Sequence, residues 1–286
     1  MASLKEIRRR IRSVKSTQQI TKAMEMVAAA KLRRAQTRAL AARPYATRIT
    51  HMLGNLAGAA SDLEHPLFKA REVKRAALVV VTSDRGLAGA YNANVIRAAE
   101  RRLREQPAGA TAVVVVGRKG RDYFRRRKWP VLATYTDLPP EASLAFVRTL
   151  TDDLIARFTD GEADQVELLY TRFITALNRR VTFEPFLPVT ASEEDKQGAE
   201  RGDIIFEPGP EAIFETLLPR YATAKLFAAL ADSLASEHGS RMIAMGSARK
   251  NAGEMLDMLV LRRNRLRQAA ITKEIAEIVG GAEALK

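Results

Sequence analysis

Apolar positions along this chain follow three rhythms. From Leu4 to Leu56 they recur at helical spacing: Leu4, Ile7, Ile11 and Val14, then Ile20, Met24 and Val27, with a slip of phase near Thr17–Gln18. This predicts a long N-terminal helix containing one proline, Pro44, and no glycine before it. At the other end the step alternates between four and three residues. It runs through Leu217, Tyr221, Ala224, Ala228, Ala231, Ala235, His238, Met242, Met245, Arg249, Ala252, Leu256, Leu259, Arg263, Leu266 and Ala270, thirteen of these sixteen being apolar. So long a repeat predicts a coiled-coil seam rather than an ordinary globular helix face. At ~1.5 Å per residue, a helix from Pro219 to Val279 would extend roughly 90 Å, far past a compact domain of ~13–15 Å radius.

The middle of the chain has a strand rhythm. Ala76–Thr82, Thr111–Gly117 and Val131–Thr136 are short β-branched runs, separated by helical patterns at Ala90–Glu105 and Arg118–Arg127 and followed by one at Glu141–Phe158. Apolar strands alternating with helices predict a parallel sheet covered on both faces. Gln165–Thr171 and Arg180–Phe186 predict a hairpin or sheet edge, and the polar run "TASEEDKQGAERGD" (Thr190–Asp203) reads as a connector.

The C-terminal seam is rich in alanine and methionine, and "MVAAAKL" (Met26–Leu32) is equally thin. Small seam residues let two helices approach closely, so the economical arrangement pairs the two ends antiparallel with the α/β segment inserted between them. Charge sharpens this picture. The formal net charge is +14, and residues 1–60 hold thirteen Lys/Arg against two Glu, whereas 61–210 net +1 and 211–286 net +2. A basic terminal segment points to an anionic partner: nucleic acid, membrane surface or acidic protein. There is no cysteine, which excludes disulfides, thiolate nucleophiles and sulfur-built metal sites. "MASLKEIRRRIRSVK" lacks the apolar core of a secretory signal, and no apolar run approaches the roughly 20 residues that span a bilayer, so a soluble, cytoplasmic chain is expected.

Candidate chemistry is sparse. "VVVTSDRGLAGAYNANV" (Val79–Val95) has the strand–loop–helix grammar of a phosphate-binding loop. Gly86 and Gly89 nevertheless stand in a G-x-x-G spacing, without the Gly-Lys-Ser/Thr of a P-loop or the G-x-G-x-x-G of a dinucleotide fold, so a structural turn is the better reading. His51, His65 and His238 have no second ligand at metal spacing. Asp152–Asp153 fits a helix surface and Glu193–Glu194–Asp195 a solvated connector, neither with an acid–base partner. Trp129 reads as a packing or turn residue rather than a stacking platform. No cofactor or metal site is expected.

Three long motifs carry a resemblance. "LKEIRRRIRSVKSTQQITKAMEMVAAAKLRRAQ" (Leu4–Gln36), "SEHGSRMIAMGSARKNAGEM" (Ser236–Met255) and "RQAAITKEIAEIVGGAEAL" (Arg267–Leu285) closely resemble the gamma subunit of F-type ATP synthase, as do "SDRGLAG" (Ser83–Gly89) and "FEPGP" (Phe206–Pro210). The resemblance implies an α/β fold in which the N- and C-terminal helices form a long antiparallel coiled coil around an inserted Rossmann-like domain. Boundaries are expected at 1–60 for the N-terminal helix, 61–190 for the α/β domain, 191–210 for the connector or foot, and 211–286 for the C-terminal helix. It further implies a non-catalytic central-stalk rotor. The paired helices would turn inside a ring of three alpha and three beta subunits. The foot, with the epsilon subunit, would rest on the membrane c-ring at the cytoplasmic face of a bacterial inner membrane.

Carried over position by position, the resemblance implies that Met24 faces the acidic lever loop of beta and that Arg241 lies near the same level on the opposing helix. Arg267 and Gln268 match a pair that hydrogen-bonds a beta loop gripping the axle, with Thr272 and Glu274 at further polar positions near it. Phe206 and Glu207 fall where the family meets the c-ring. Pro219 departs from the pattern, since it interrupts what is usually continuous helix. The rival readings are a basic coiled-coil nucleic-acid-binding protein and a nucleotide-dependent α/β enzyme. The first lacks basic residues interleaved with aromatics, and the second lacks a complete motif.

Overall fold

The computed structural model describes residues 3–59, 65–69, 71–107, 109–139, 143–189 and 209–283. By backbone proximity they form two units, one from Met1–Ala28 with Met242–Lys286 and the other from Ala29–Arg241. Helices α1 (Leu4–Ala59) and α5 (Pro210–Glu283) contribute to both.

The first unit is an antiparallel helix pair. Arg249 Nε donates to Glu25 Oε2 at 2.8 Å. A Cβ on Gly246 would lie 3.2 Å from Glu25 Oε1, and one on Gly253 would lie 3.1 Å from Gln18 Nε2. A step of seven residues forward on α5 thus matches seven backward on α1. The α5 seam follows the expected beat here, with Met245 and Ala252 buried and Leu256, Leu259 and Leu266 half-buried.

The α1 seam corrects the expectation. Its inward positions are Leu4, Ile7, Ile11, Val14, Gln18, Thr21, Glu25 and Ala28, an unbroken four–three beat with no phase slip. The predicted seam residues Ile20 and Val27 are instead 57% and 56% exposed. Polar side chains hold three of these seam positions. Glu25 pairs with Arg249, Gln18 lies over Gly253, and the Thr21 hydroxyl donates to the Thr17 carbonyl at 2.9 Å.

The second unit is built on a five-stranded sheet in the order β3-β2-β1-β4-β5. Strands β1 (Ala76–Val81), β2 (Thr111–Val116), β3 (Val131–Tyr135) and β4 (Gln165–Phe173) are parallel, and β5 (Arg179–Leu187) returns antiparallel beside β4. Alternate side chains serve opposite faces. Val79, Val81, Val114 and Leu168 pack under α4 (Leu144–Thr159), Phe214–Leu230 of α5, and Ile49 and Leu53 of α1. Leu78, Val80, Val113 and Val115 pack under α2 (Tyr91–Glu105) and α3 (Arg118–Arg126). Against the sheet, α5 buries a face broader than the predicted seam. Leu218, Ala222, Leu226 and Leu230 are buried, while the seam residue Ala228 is exposed.

Pro219 does not interrupt α5. The helix runs unbroken through it, as α1 does through Pro44. A proline removes one backbone hydrogen bond, and burial of Leu217, Leu218, Tyr221 and Ala222 beside it holds the turn in place.

The turn from β2 into α3 requires glycine. Gly117 has φ 100°, and a Cβ there would sit 2.3 Å from the Thr82 carbonyl oxygen. Gly117→Ala is expected to destabilise the chain by roughly 2–4 kcal/mol, read as a lowered Tm in thermal denaturation. A second prediction comes from polar residues that α5 carries into the core. His238 is buried and its pKa falls to about 4, through desolvation first and then the positive charges of Arg241 and Lys31. Folding therefore favours the neutral ring, and this contribution is lost as pH falls from about 6.5 through 4. Burial raises the pKa of neighbouring Glu237, which opposes this trend in both wild type and variant. His238→Gln is expected to lose less stability than wild type between pH 7 and 4, by roughly 2–3 kcal/mol, read as a smaller fall in Tm.

Candidate functional site

In an open α/β sheet, ligands bind beyond the carboxyl ends of the strands where the strand order reverses, with anions at a helix N-terminus. Here that point lies between β1 and β4, and helix α5 crosses it. Ser236 Oγ donates to the Thr171 carbonyl at 3.0 Å, and Ser233 Oγ accepts from the Thr171 amide at 3.3 Å. The first amides of α3, which an anion would otherwise meet, already have partners within the chain. Arg118 N donates to Asp84 Oδ1 at 2.9 Å, Lys119 N to the Ser83 carbonyl at 3.1 Å, and Gly120 N to Thr82 Oγ1 at 2.9 Å. Asp84 Oδ2 also accepts from Leu138 N at 2.6 Å, and Ser83 Oγ donates to the Arg85 carbonyl at 2.6 Å. The Ser83–Gly89 loop is accordingly a structural turn that closes the carboxyl end of its own strand against the start of α3.

The loop is also tied to α5. Arg241 donates to the Gly86 carbonyl from Nε at 3.4 Å and from Nη2 at 3.3 Å, and to Glu237 Oε1 from Nη2 at 2.6 Å. Its Nη1 lies 3.2 Å from His238 Nδ1. Tyr91, at the start of α2, is buried beside Glu237 and bonds Ser233, and desolvation raises its pKa. Arg241 thus has internal partners for its guanidinium, which its place in the sequence did not indicate.

The other candidate positions lie on the helix pair and are not brought together: the register sets Met24 opposite residue 247, well short of Arg267–Glu274. Met24 is half-buried on α1 beside the seam, while Ile20, Met26 and Val27 around it are exposed. Arg267, Gln268, Thr272 and Glu274 are all exposed on α5. The register of the helix pair places residue 268 opposite Ser3, so α5 continues past the start of α1. Every residue from 271 to 281 is exposed. Helical geometry puts Arg267, Ile271, Glu274 and Ile278 along one line and Gln268, Thr272, Ile275 and Val279 along the next. Four β-branched apolar side chains, Ile278 being 72% exposed, thus form an apolar strip that nothing in the described chain covers. Sequence reading picked out the polar members of this strip and missed Ile271, Ile275, Ile278 and Val279, whose i, i+4, i+7, i+8 spacing was the available signal. Phe206 and Glu207 lie outside the described residues.

Among the described residues no cluster of His, Asp or Glu could hold a metal ion, and no helix is long and apolar enough to cross a membrane.

Comparison with known proteins is consistent over the whole length. A family model described as ATP synthase matches residues 3–285. The ATP synthase gamma chain of Moorella thermoacetica is 51% identical over 286 residues, covering 100% of both chains. That of Heliobacterium modesticaldum is 47% identical over 292 residues, again covering 100% of each. Among solved structures, a chain of the Tetrahymena thermophila mitochondrial ATP synthase central stalk and c-ring is 25% identical with a TM-score of 0.62, over 80% of this chain and 99% of that one. A chain of the Euglena gracilis mitochondrial ATP synthase shares the fold at 21% identity and a TM-score of 0.70, over 99% and 94%. With an α/β sheet flanked by two terminal helices and relatives matched end to end, the chain belongs to the ATP synthase gamma-chain family.

Proposed function

We propose that this chain is the central-stalk rotor of an F-type ATP synthase, carrying rotation of the membrane c-ring to the catalytic beta subunits and performing no chemistry itself. The observation that supports this reading best is the bare end of α5. Past the helix pair, residues 271–281 are exposed and carry an isoleucine–valine strip interleaved with Thr272 and Glu274 and preceded by Arg267 and Gln268. Such a helix end suits a sleeve formed by other subunits, its apolar side chains bearing against the wall and its polar ones supplying directional contacts.

A single asymmetric helix pair inside a threefold ring meets no two of the surrounding subunits alike. The face presented to each beta subunit selects that subunit's conformation by differential contact, and turning passes every site through each state. The basic N-terminal segment, with Met24 half-buried and Ile20 and Val27 outward, suits an acidic lever loop on beta rather than nucleic acid. Exposed ion pairs contribute only ~0–1 kcal/mol each, so they guide rotation without arresting it. On this reading the foot, including Phe206 and Glu207, meets the c-ring with the epsilon subunit at the cytoplasmic face of the bacterial inner membrane. Segments 1–60 and 211–286 then form the shaft, 61–190 the α/β domain and 191–210 the connector.

Replacing Arg267 and Gln268 together with alanine is expected to lower ATP synthesis and coupled hydrolysis in the reconstituted complex by roughly tenfold, as loss of two polar contacts implies. Circular dichroism of the isolated chain should stay unchanged. Normal coupling in that double variant removes the pair from the mechanism, and ATP turnover by the purified chain alone contradicts the rotor reading.

A further inference from the structure

Charge in the second unit is sorted by sign across its sheet. Residues 61–210 net only +1, yet residues 91–130 hold eleven Lys/Arg against three acids. That stretch contains α2 and α3, the two helices that cover the face of Leu78, Val80, Val113 and Val115. On the opposite face, α4 and the turn after it (144–164) hold five acids against two arginines. A surface charged only for solubility mixes the two signs, so their separation points to an anionic partner on the α2–α3 side.

The outer sides of these two helices adjoin. Arg127, just past α3, donates to Glu100 Oε1 on α2 at 3.3 Å, and Arg104 pairs with the same oxygen at 3.7 Å. One carboxylate is thus shared between two cations, and Asp122 is taken by Arg121 at 2.8 Å. Arg97, Arg101, Arg125, Arg126 and Lys128 are exposed, and among the described residues none of the five has an acidic partner. Cations in the last turn of a helix answer its dipole, which accounts for Arg125 and Arg126. Arg97 and Arg101 stand before the last turn of α2 and have no such reason.

Nine of the eleven cations are arginine, whose fork matches phosphate. Nucleic acid and phospholipid both offer that group. Single strands need free aromatic faces for their bases, but here Arg127 lies over the Tyr123 ring at 4.8 Å and Trp129 packs against the core. An acidic subunit fixed around a rotor would hold it at one angle, whereas a fluid lipid leaflet presents the same charge at every angle. That last step rests on the rotor reading above.

We propose that the outer side of the α2–α3 layer is a membrane-facing surface that docks on the phosphate headgroups of anionic phospholipids. The attraction acts within a Debye length of ~8–10 Å and needs no inserted side chain. It gathers the chain at the bilayer with its basic layer turned toward the lipid.

The test uses the full chain with vesicles of phosphatidylcholine, alone or with one-third phosphatidylglycerol. Co-sedimentation should require phosphatidylglycerol and weaken steeply with salt. Replacing Arg97, Arg101, Arg125 and Arg126 together with glutamine should weaken binding about fivefold per charge, or roughly 600-fold in all. The whole chain carries +14, so a charge-matched control replaces the exposed Arg8, Arg9, Arg12 and Lys15 of α1 with glutamine, and it should weaken binding far less. Orientation supplies a second readout. The chain has no cysteine, so one fluorophore can be attached through Ala93→Cys, a turn before Arg97 on α2, or through Thr149→Cys on α4, both positions being exposed. Quencher-labelled headgroups should dim the first and spare the second. Equal losses in the two fourfold variants, equal quenching at both positions, or tighter binding to RNA or polyglutamate than to the vesicles would each overturn the proposal. If circular dichroism shows the fourfold α2–α3 variant misfolded, the pairs Arg97 with Arg101 and Arg125 with Arg126 are replaced separately, each expected to cost roughly 25-fold. Absence of coupling in the reconstituted wild-type complex would count against the rotor reading and leave vesicle binding and quenching to judge the surface.

Discussion

The second unit is organised by one constraint: α5 lies across the sheet at the point where an open α/β fold leaves a crevice. Ser233 and Ser236 take the backbone groups of Thr171, Arg241 takes the Gly86 carbonyl, and the Phe214–Leu230 stretch covers the core face of the sheet. A fold whose relatives in architecture often hold nucleotides is thereby filled with its own helix. The strand–loop–helix at Val79–Val95 keeps the outward form of a phosphate site, yet the amides that would bind phosphate are spent on Thr82, Ser83 and Asp84.

The same helix meets a different requirement in the first unit, where it must pair closely with α1. Gly246 and Gly253 leave room for Glu25 and Gln18 to lie across the pair. Polar residues in the seam leave the apolar Ile20, Met26 and Val27 on the outside, an arrangement that would be wasteful in a free-standing coiled coil. It suits a chain whose outer surface is itself to be covered. The exposed isoleucines beyond residue 270 carry the same implication further along.

Family membership and these surfaces agree on the kind of work done. On the rotor reading proposed above, binding energy is directed outward, toward partners that must be gripped in turn and released. Weak, distributed contacts fit that demand better than a deep pocket would, because a rotor held by several kcal/mol at one angle would stop there.

The sequence alone determined the elements: strands at Ala76, Thr111 and Val131 with their intervening helices, the hairpin, and two long terminal helices, each from apolar periodicity and turn residues that act locally. It also carried the motifs that mark the family. Only tertiary structure decided which face of each long helix points inward. A four–three pattern of apolar residues can be met by more than one phase, and α1 resolved the choice through Glu25, which pairs with Arg249 on α5, Thr21, which bonds the preceding turn, and Gln18, which lies over Gly253. Likewise, nothing in the order of residues brings Glu237 and Arg241 to Gly86, some 150 positions away. That meeting follows from the sheet's crossover topology, which no local pattern encodes.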